Sequence, residues 1–199
     1  MTRYGMALIQ ERTAEVNRLQ KTLEGANIKL ASVASNVLGN SGREMREGLV
    51  GGTTEPTALA ELAKGKLRKK LPELQRALAG RFGPHQRFLL GLHLARIADL
   101  DEVIAHLDAE IAERLHPHAE EIARLDAIPS VAWRTAEVIL AEVGGDVSRF
   151  PTAAHLASWA GVCPGDIESA GKRLSGRTRK GNRYLREALA EAAQAAARR

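Results

Sequence analysis

Between Arg3 and Leu23 the apolar residues Leu8, Ile9, Val16, Leu19 and Leu23 recur close to helical spacing, and Gly25 follows as a stop. The pattern predicts a first amphipathic helix. From Ala26 to Gly83 the periodicity breaks into short pieces divided by Gly39, Gly42, Gly48, Gly51, Gly52, Gly65, Gly80 and Gly83, which predicts a cluster of short helices. The clearest period begins after Pro84. Leu90, Ile97, Leu100, Ile104, Leu107 and Ile111 keep three- and four-residue steps on one face, a coiled-coil seam from about Gln86 to Leu115 that ends at Pro117. A stripe of this kind predicts self-association, as a homodimer or higher, unless its own chain covers it. His93 falls on the seam and reads as a tolerated polar position that helps to set register.

Beyond Ala119 the pattern becomes a run of short helices between turns, so a boundary is expected near residues 116–120. Residues 1–118 are then a helical, coiled-coil dimerisation region and residues 119–199 a compact C-terminal domain. The segment from Leu125 to Leu140 reads as a helix end, a tight turn containing Pro129, and a second helix, which resembles a helix-hairpin-helix. Glycines in that motif let the backbone approach phosphate, and the following helix N-terminus offers free amides to the anion. Ser130 and Ala132 stand at the two glycine positions here. Gly144 and Gly145 end the second helix, Thr152 is placed to cap the next, and Leu156, Trp159 and Ala160 read as core. Trp133 and Trp159 are expected to be packing anchors. The fold class is all-α: a helical region with a long coiled-coil arm, then a compact helix-hairpin-helix-like domain.

Composition supports that class. Aromatics make up only 4% of the 199 residues, while residues that lose little side-chain freedom in a helix dominate. The formal net charge of +5 changes the picture mainly through its location. Up to residue 170 acids and bases are mixed, whereas Lys172, Arg173, Arg177, Arg179, Lys180, Arg183 and Arg186 stand together without an acid among them. A local excess of this kind fits a phosphate-binding strip, against the alternative of a solvated charged face. Cys163 is the only cysteine, so no intrachain disulfide or cysteine-cluster zinc site can form. Residues 1–20 resemble neither a secretory signal nor a membrane span, and a cytoplasmic protein with no membrane partner is expected. Glu11, Glu15, Glu44, Glu47, Asp99, Asp101, Glu102 and Asp108 lie on helical patterns and read as solvent-facing charges. His116 and His118 do not converge on one metal. No metal site is expected in this chain.

The stretch from Pro164 to Arg186 reads as a polar loop running into a last helix. On residue pattern alone, Ser169 is a loop serine that satisfies backbone groups. Taken with the Pro-containing turn and the phrases RFPTAAHLASWAGVCPG, IKLASVASNVLG and ELAKGKLRKK, however, the stretch resembles transposases from insertion sequences of the one-ten family, the RNA-guided, bridge-RNA recombinases. The likeness runs along essentially the whole chain. It implies DNA transposition in which a serine of this loop attacks a DNA phosphodiester to give a phosphoserine intermediate. On this sequence that serine is Ser169. Its rival Ser175 precedes Gly176 and looks like a turn residue, and Ser158 lies in an apolar phrase. A hydroxyl needs activation, and the phosphorus transition state needs positive charge, which Lys172, Arg173, Arg177 and Arg179 would supply.

The resemblance further implies DNA and a guide RNA as partners. It also implies an N-terminal RNase-H-like domain whose four acidic residues hold magnesium. That domain is expected before Thr2 and has no counterpart in residues 1–199, and the family's closing segment looks shortened, so a fragment is expected. The isolated chain should then bind nucleic acid and cut poorly. The alternatives are a non-catalytic nucleic-acid-binding remnant that pairs with full-length transposase, and a purely structural helical dimer.

Overall fold

A computed structural model describes residues 1–34, 38–163 and 180–198, together with the backbone of residues 167–169 and 172–175. The all-α class holds. The helices are α1 (Thr2–Gly25), α2 (Asn40–Gly51), α3 (Pro56–Glu61), α4 (Leu71–Leu78), α5 (Pro84–Leu115), α6 (Ala119–Asp126), α7 (Trp133–Val143), α8 (Ala153–Ala160) and α9 (Arg183–Ala196). One element was not anticipated: β1 (Ile167–Ser169) and β2 (Lys172–Ser175) form a short antiparallel hairpin inside the stretch read as a loop. The chain divides into two compact units, residues 7–106 and residues 1–6 with 107–199. The expected division at residue 118 thus moves into α5. The reason lies in the last turns of that helix, where Leu115 packs against the Ile122 cluster and Asp108 pairs with Arg134 of α7 at 2.6 Å.

In the unit of residues 7–106 the core gathers Leu19, Leu23, Ile28, Met45, Leu49, Leu59, Leu74, Leu78, Leu90 and Ile97. The α4 turn is drawn against the end of α1 by two backbone bonds, Lys29 N–H to the Ala77 carbonyl and Arg81 N–H to the Ala26 carbonyl, both 2.8 Å. Gly80 is required between them, because an added Cβ would meet the Ala26 carbonyl and lie 2.7 Å from Ile28 Cγ1. The seam of α5 finds cover within its own chain. Leu90, Ile97 and Leu100 are buried, and within this unit α1 is tied to α5 by Arg12 to Asp101, Arg96 to Glu11 and Glu15 to His93. Part of the seam is thus covered within its own chain, while Ile104 is only half-buried.

Of the charges read as solvent-facing, Asp101 is exposed and paired, whereas Glu15 is buried. Asp101 takes a bidentate grip from Arg12, and Glu15 is buried with an oxygen 2.5 Å from His93 Nδ1 and another 2.6 Å from Arg18. Hydrogen bonding to His93, and then to Arg18, holds the Glu15 carboxyl below the ordinary glutamate range against the opposing effect of burial. A carboxyl depressed in the fold stabilises fully above its unfolded pKa, and that contribution is lost as pH falls through the lower folded value. We expect Glu15→Gln to destabilise the chain in urea unfolding at pH 7. The gap between variant and parent should narrow as pH falls below the ordinary glutamate range. A gap that persists in acid would show that the carboxylate is not the source.

The unit of residues 1–6 and 107–199 has two linked cores. Ile122, Val131, Ala136, Leu140 and Ala192 form one, Val143, Ala160 and Leu185 the other, and Ile139 packs on both. The expected turn between α6 and α7 is present, with Ser130 at φ 69°, the left-handed conformation that a glycine at this position would adopt without strain. The tryptophans depart from expectation. Trp133 is 50% exposed, because it begins α7 one turn before the buried stripe of Ala136, Leu140 and Val143, and its Nε1 donates to Glu137. Trp159 is also exposed, lying against Phe150 with ring centroids 5.4 Å apart and with the Arg149 guanidinium over it, while its neighbour Ala160 fills the core. Thr152 does occupy the N-cap of α8, yet its hydroxyl meets His155 Nδ1 at 2.8 Å and caps no amide.

Candidate nucleic-acid interface

The basic stretch leaves and rejoins the fold at one place. After α8 the chain turns at Gly161 in the left-handed conformation (φ 76°), and it returns at Gly181, whose backbone lies directly against Gly161. A Cβ added at Gly181 would lie 2.5 Å from Gly161 Cα and 2.6 Å from the Ala160 carbonyl carbon. Only a residue without a side chain fits. The next residue continues the clasp: Asn182 N–H donates to the Trp159 carbonyl at 3.1 Å, and its side-chain oxygen accepts the Leu185 amide as the N-cap of α9.

Glu142, near the end of α7, fixes that cap from the other side. Its carboxylate accepts from Asn182 Nδ2 at 2.6 Å and takes a bidentate pair from Arg3, both contacts 2.8 Å, while its side chain is only 4% exposed. The Arg3 bond, followed by the Asn182 bond, pulls the Glu142 carboxyl below the ordinary range. Arg3 also lies over the Tyr184 ring, 4.8 Å from its centroid. Residues from α7, α8, α9 and the first turn of α1 therefore meet where the described chain resumes at Gly181 and Asn182. Neither Glu142 nor Asn182 stood out in the sequence, where each reads as an ordinary polar residue. The signal that was present is the Gly161 and Gly181 pair around a cationic run.

The predicted residues fall in three groups. Ser169 closes β1 and stands in register opposite Lys172 of β2, with Glu168 opposite Arg173 and Ile167 opposite Ser175. The hairpin backbone thus puts Ser169 and the first basic residue of the strip at the same level. Arg177 and Arg179 lie outside the described residues. Lys180 is exposed, Arg183 is exposed and pairs with Glu187 one turn along α9 at 2.8 Å, and Arg186 is half-buried. Among the described residues no three His, Cys, Asp or Glu side chains converge as a metal site. Nor is any helix of the described residues long and apolar enough to cross a membrane.

Fold and clasp define a small helical domain that presents a basic hairpin segment closed at its base. Residues 122–199 match the family model of the "Transposase IS116/IS110/IS902 family". The "Insertion element IS110 uncharacterized 43.6 kDa protein" of Streptomyces coelicolor is 44% identical over 85 residues, 42% of this chain and 20% of that protein. The "Insertion element IS900 uncharacterized 42 kDa protein" of Mycobacterium paratuberculosis is 37% identical over 92 residues, 45% of this chain and 22% of that protein. The matched stretch spans about a fifth of each relative's length. No solved structure matches.

Proposed function

We propose that this chain acts in DNA transposition in the bacterial cytoplasm, binding DNA through the strip from Lys172 to Arg186. In the complete enzyme, with a magnesium-holding domain and a guide RNA, Ser169 attacks the DNA phosphodiester. The observation that carries the reading is the family match over residues 122–199, which contains the whole clasped segment. The register of Ser169 opposite Lys172 supports it, since a nucleophile at phosphorus works best where cationic groups meet the charge that develops. In the step itself an Oγ–P bond forms as a P–O ester bond of the strand breaks. The serine proton goes to a base, and the departing sugar oxygen takes up a proton. The free α7 amides behind the Ser130 turn add a second, sequence-independent phosphate contact in this proposal.

Binding is the part that can be tested on this chain as it stands. Each phosphate contact releases condensed counterions, so affinity for a short DNA duplex should fall steeply with salt. Replacing Arg177, Arg179 and Lys180 together by alanine is expected to flatten the plot of log affinity against log salt by about 0.9 for each phosphate no longer neutralised. Fluorescence anisotropy across a salt series measures the slope. An unchanged slope would move the DNA surface elsewhere, with Lys64, Lys66, Arg68, Lys69 and Lys70 as the next cationic cluster.

A further inference from the structure

Away from the transposase-like segment, the unit of residues 7–106 buries a cation that forms no ion pair among the described residues. Arg46 of α2 is 2% exposed. Its Nε donates to the Gly42 carbonyl one turn back at 2.9 Å, while its Nη1 is buried without a hydrogen-bond partner. The side chain lines a cavity of about 60 Å³ together with Arg12, Arg43 and Asp101, floored by Leu94 and Ile97 of α5. Asp101 is already committed to Arg12, and Arg43 reaches only Glu47, at 3.9 Å on the surface. Among the described residues, three guanidiniums thus face a cavity with one carboxylate, and that carboxylate is spoken for.

A buried charge without an ion-pair partner is costly, so some anion is called for. Burial, and then repulsion from Arg43, push the Arg46 guanidinium down to about 10. Water can hydrogen-bond Nη1 but leaves the charge in place. A tetrahedral oxyanion satisfies it, because arginine forks match phosphate oxygens and the cavity has room for more than one water-sized group. We propose that this cavity is a phosphate-group site, with Arg46, Arg43 and Arg12 as its cationic lining. The group arrives either as free inorganic phosphate or as the terminal phosphate of a nucleic-acid strand. The assignment does not depend on the C-terminal segment.

The test is thermal unfolding of the whole chain at constant ionic strength against inorganic phosphate. A ligand that binds only the folded state raises the midpoint along a saturable curve. Arg46→Met should be more stable than the parent without phosphate, having shed the orphan cation, and should gain nothing when phosphate is added. Arg43→Gln, a surface change that leaves the core intact, should keep the fold and weaken the apparent affinity about tenfold, one charge-assisted hydrogen bond's worth. A 5′-phosphorylated dinucleotide and its unphosphorylated form separate the sources. Stronger saturation by the phosphorylated form than by inorganic phosphate identifies a strand end, and the reverse identifies the free anion. No saturable shift with any of these probes, or equal shifts in the parent and Arg43→Gln, overturns the site and leaves a hydrated cavity.

Discussion

Ser169→Ala is expected to abolish covalent attachment of the complete transposase to DNA, a loss of several orders of magnitude in adduct, while DNA affinity stays within about twofold. The asymmetry follows from what the substitution removes. One hydroxyl disappears, and with it the atom that forms the bond to phosphorus in the proposed reaction, but every cationic group of the strip remains. Ser175→Ala is the matched control, since Ser175 stands at the far end of the hairpin opposite Ile167, away from the Ser169 and Lys172 pair. It should keep most of the chemistry. The measurement is trapping of a protein–DNA adduct on denaturing gels, with guide RNA and magnesium supplied and the metal-binding domain attached. An adduct that survives Ser169→Ala would return the loop to a binding role. Strand transfer without any adduct would do the same.

What the sequence made legible was whatever repeats along one helix or punctuates its end. The α5 seam, the stops at Gly25 and Gly144 and the Pro-containing turn before α7 all express local period or local backbone demand, and each lies where the pattern put it. The strip from Lys172 to Arg186 was equally visible, because a run without acids needs no partner to be noticed. Pairing across distance was hidden. Nothing local distinguishes Glu15 from Glu11, yet only Glu15 faces His93 and is buried. The seam likewise announces a helix that needs a partner without saying whether that partner is another chain or α1. Trp133 misled for a related reason, since its apolar neighbours are core while it stands one turn before them. The clasp combined both kinds of information: glycines at 161 and 181 could be read, but their approach to one another could not.

Gly181→Ala should therefore be among the most damaging single-methyl changes in the C-terminal unit. The added Cβ would meet backbone on three sides, the Gly161 nitrogen and Cα and the Ala160 carbonyl carbon, and backbone cannot swing aside as a side-chain tip can. The two strands of chain must part. With them go the Asn182 bond to the Trp159 carbonyl and the alignment of Asn182 with Glu142 and the Leu185 amide. Overpacking of a tight site costs about 1–3 kcal/mol, and we expect the upper end here because a helix cap is broken as well. For a unit of this size that is a fall of roughly 4–8 °C in midpoint per kcal/mol. Gly91→Ala supplies the opposite control: it lies within α5, an added Cβ there meets nothing within 4 Å, and it should stabilise by up to about 1 kcal/mol. Calorimetry of both variants reads the contrast, and anisotropy at low salt reads its functional consequence. Once the base of the basic segment opens, DNA affinity should fall although no cation has been removed. A Gly181→Ala chain with an unchanged midpoint and unchanged affinity would show that the close approach of Gly161 and Gly181 does not hold the segment in place.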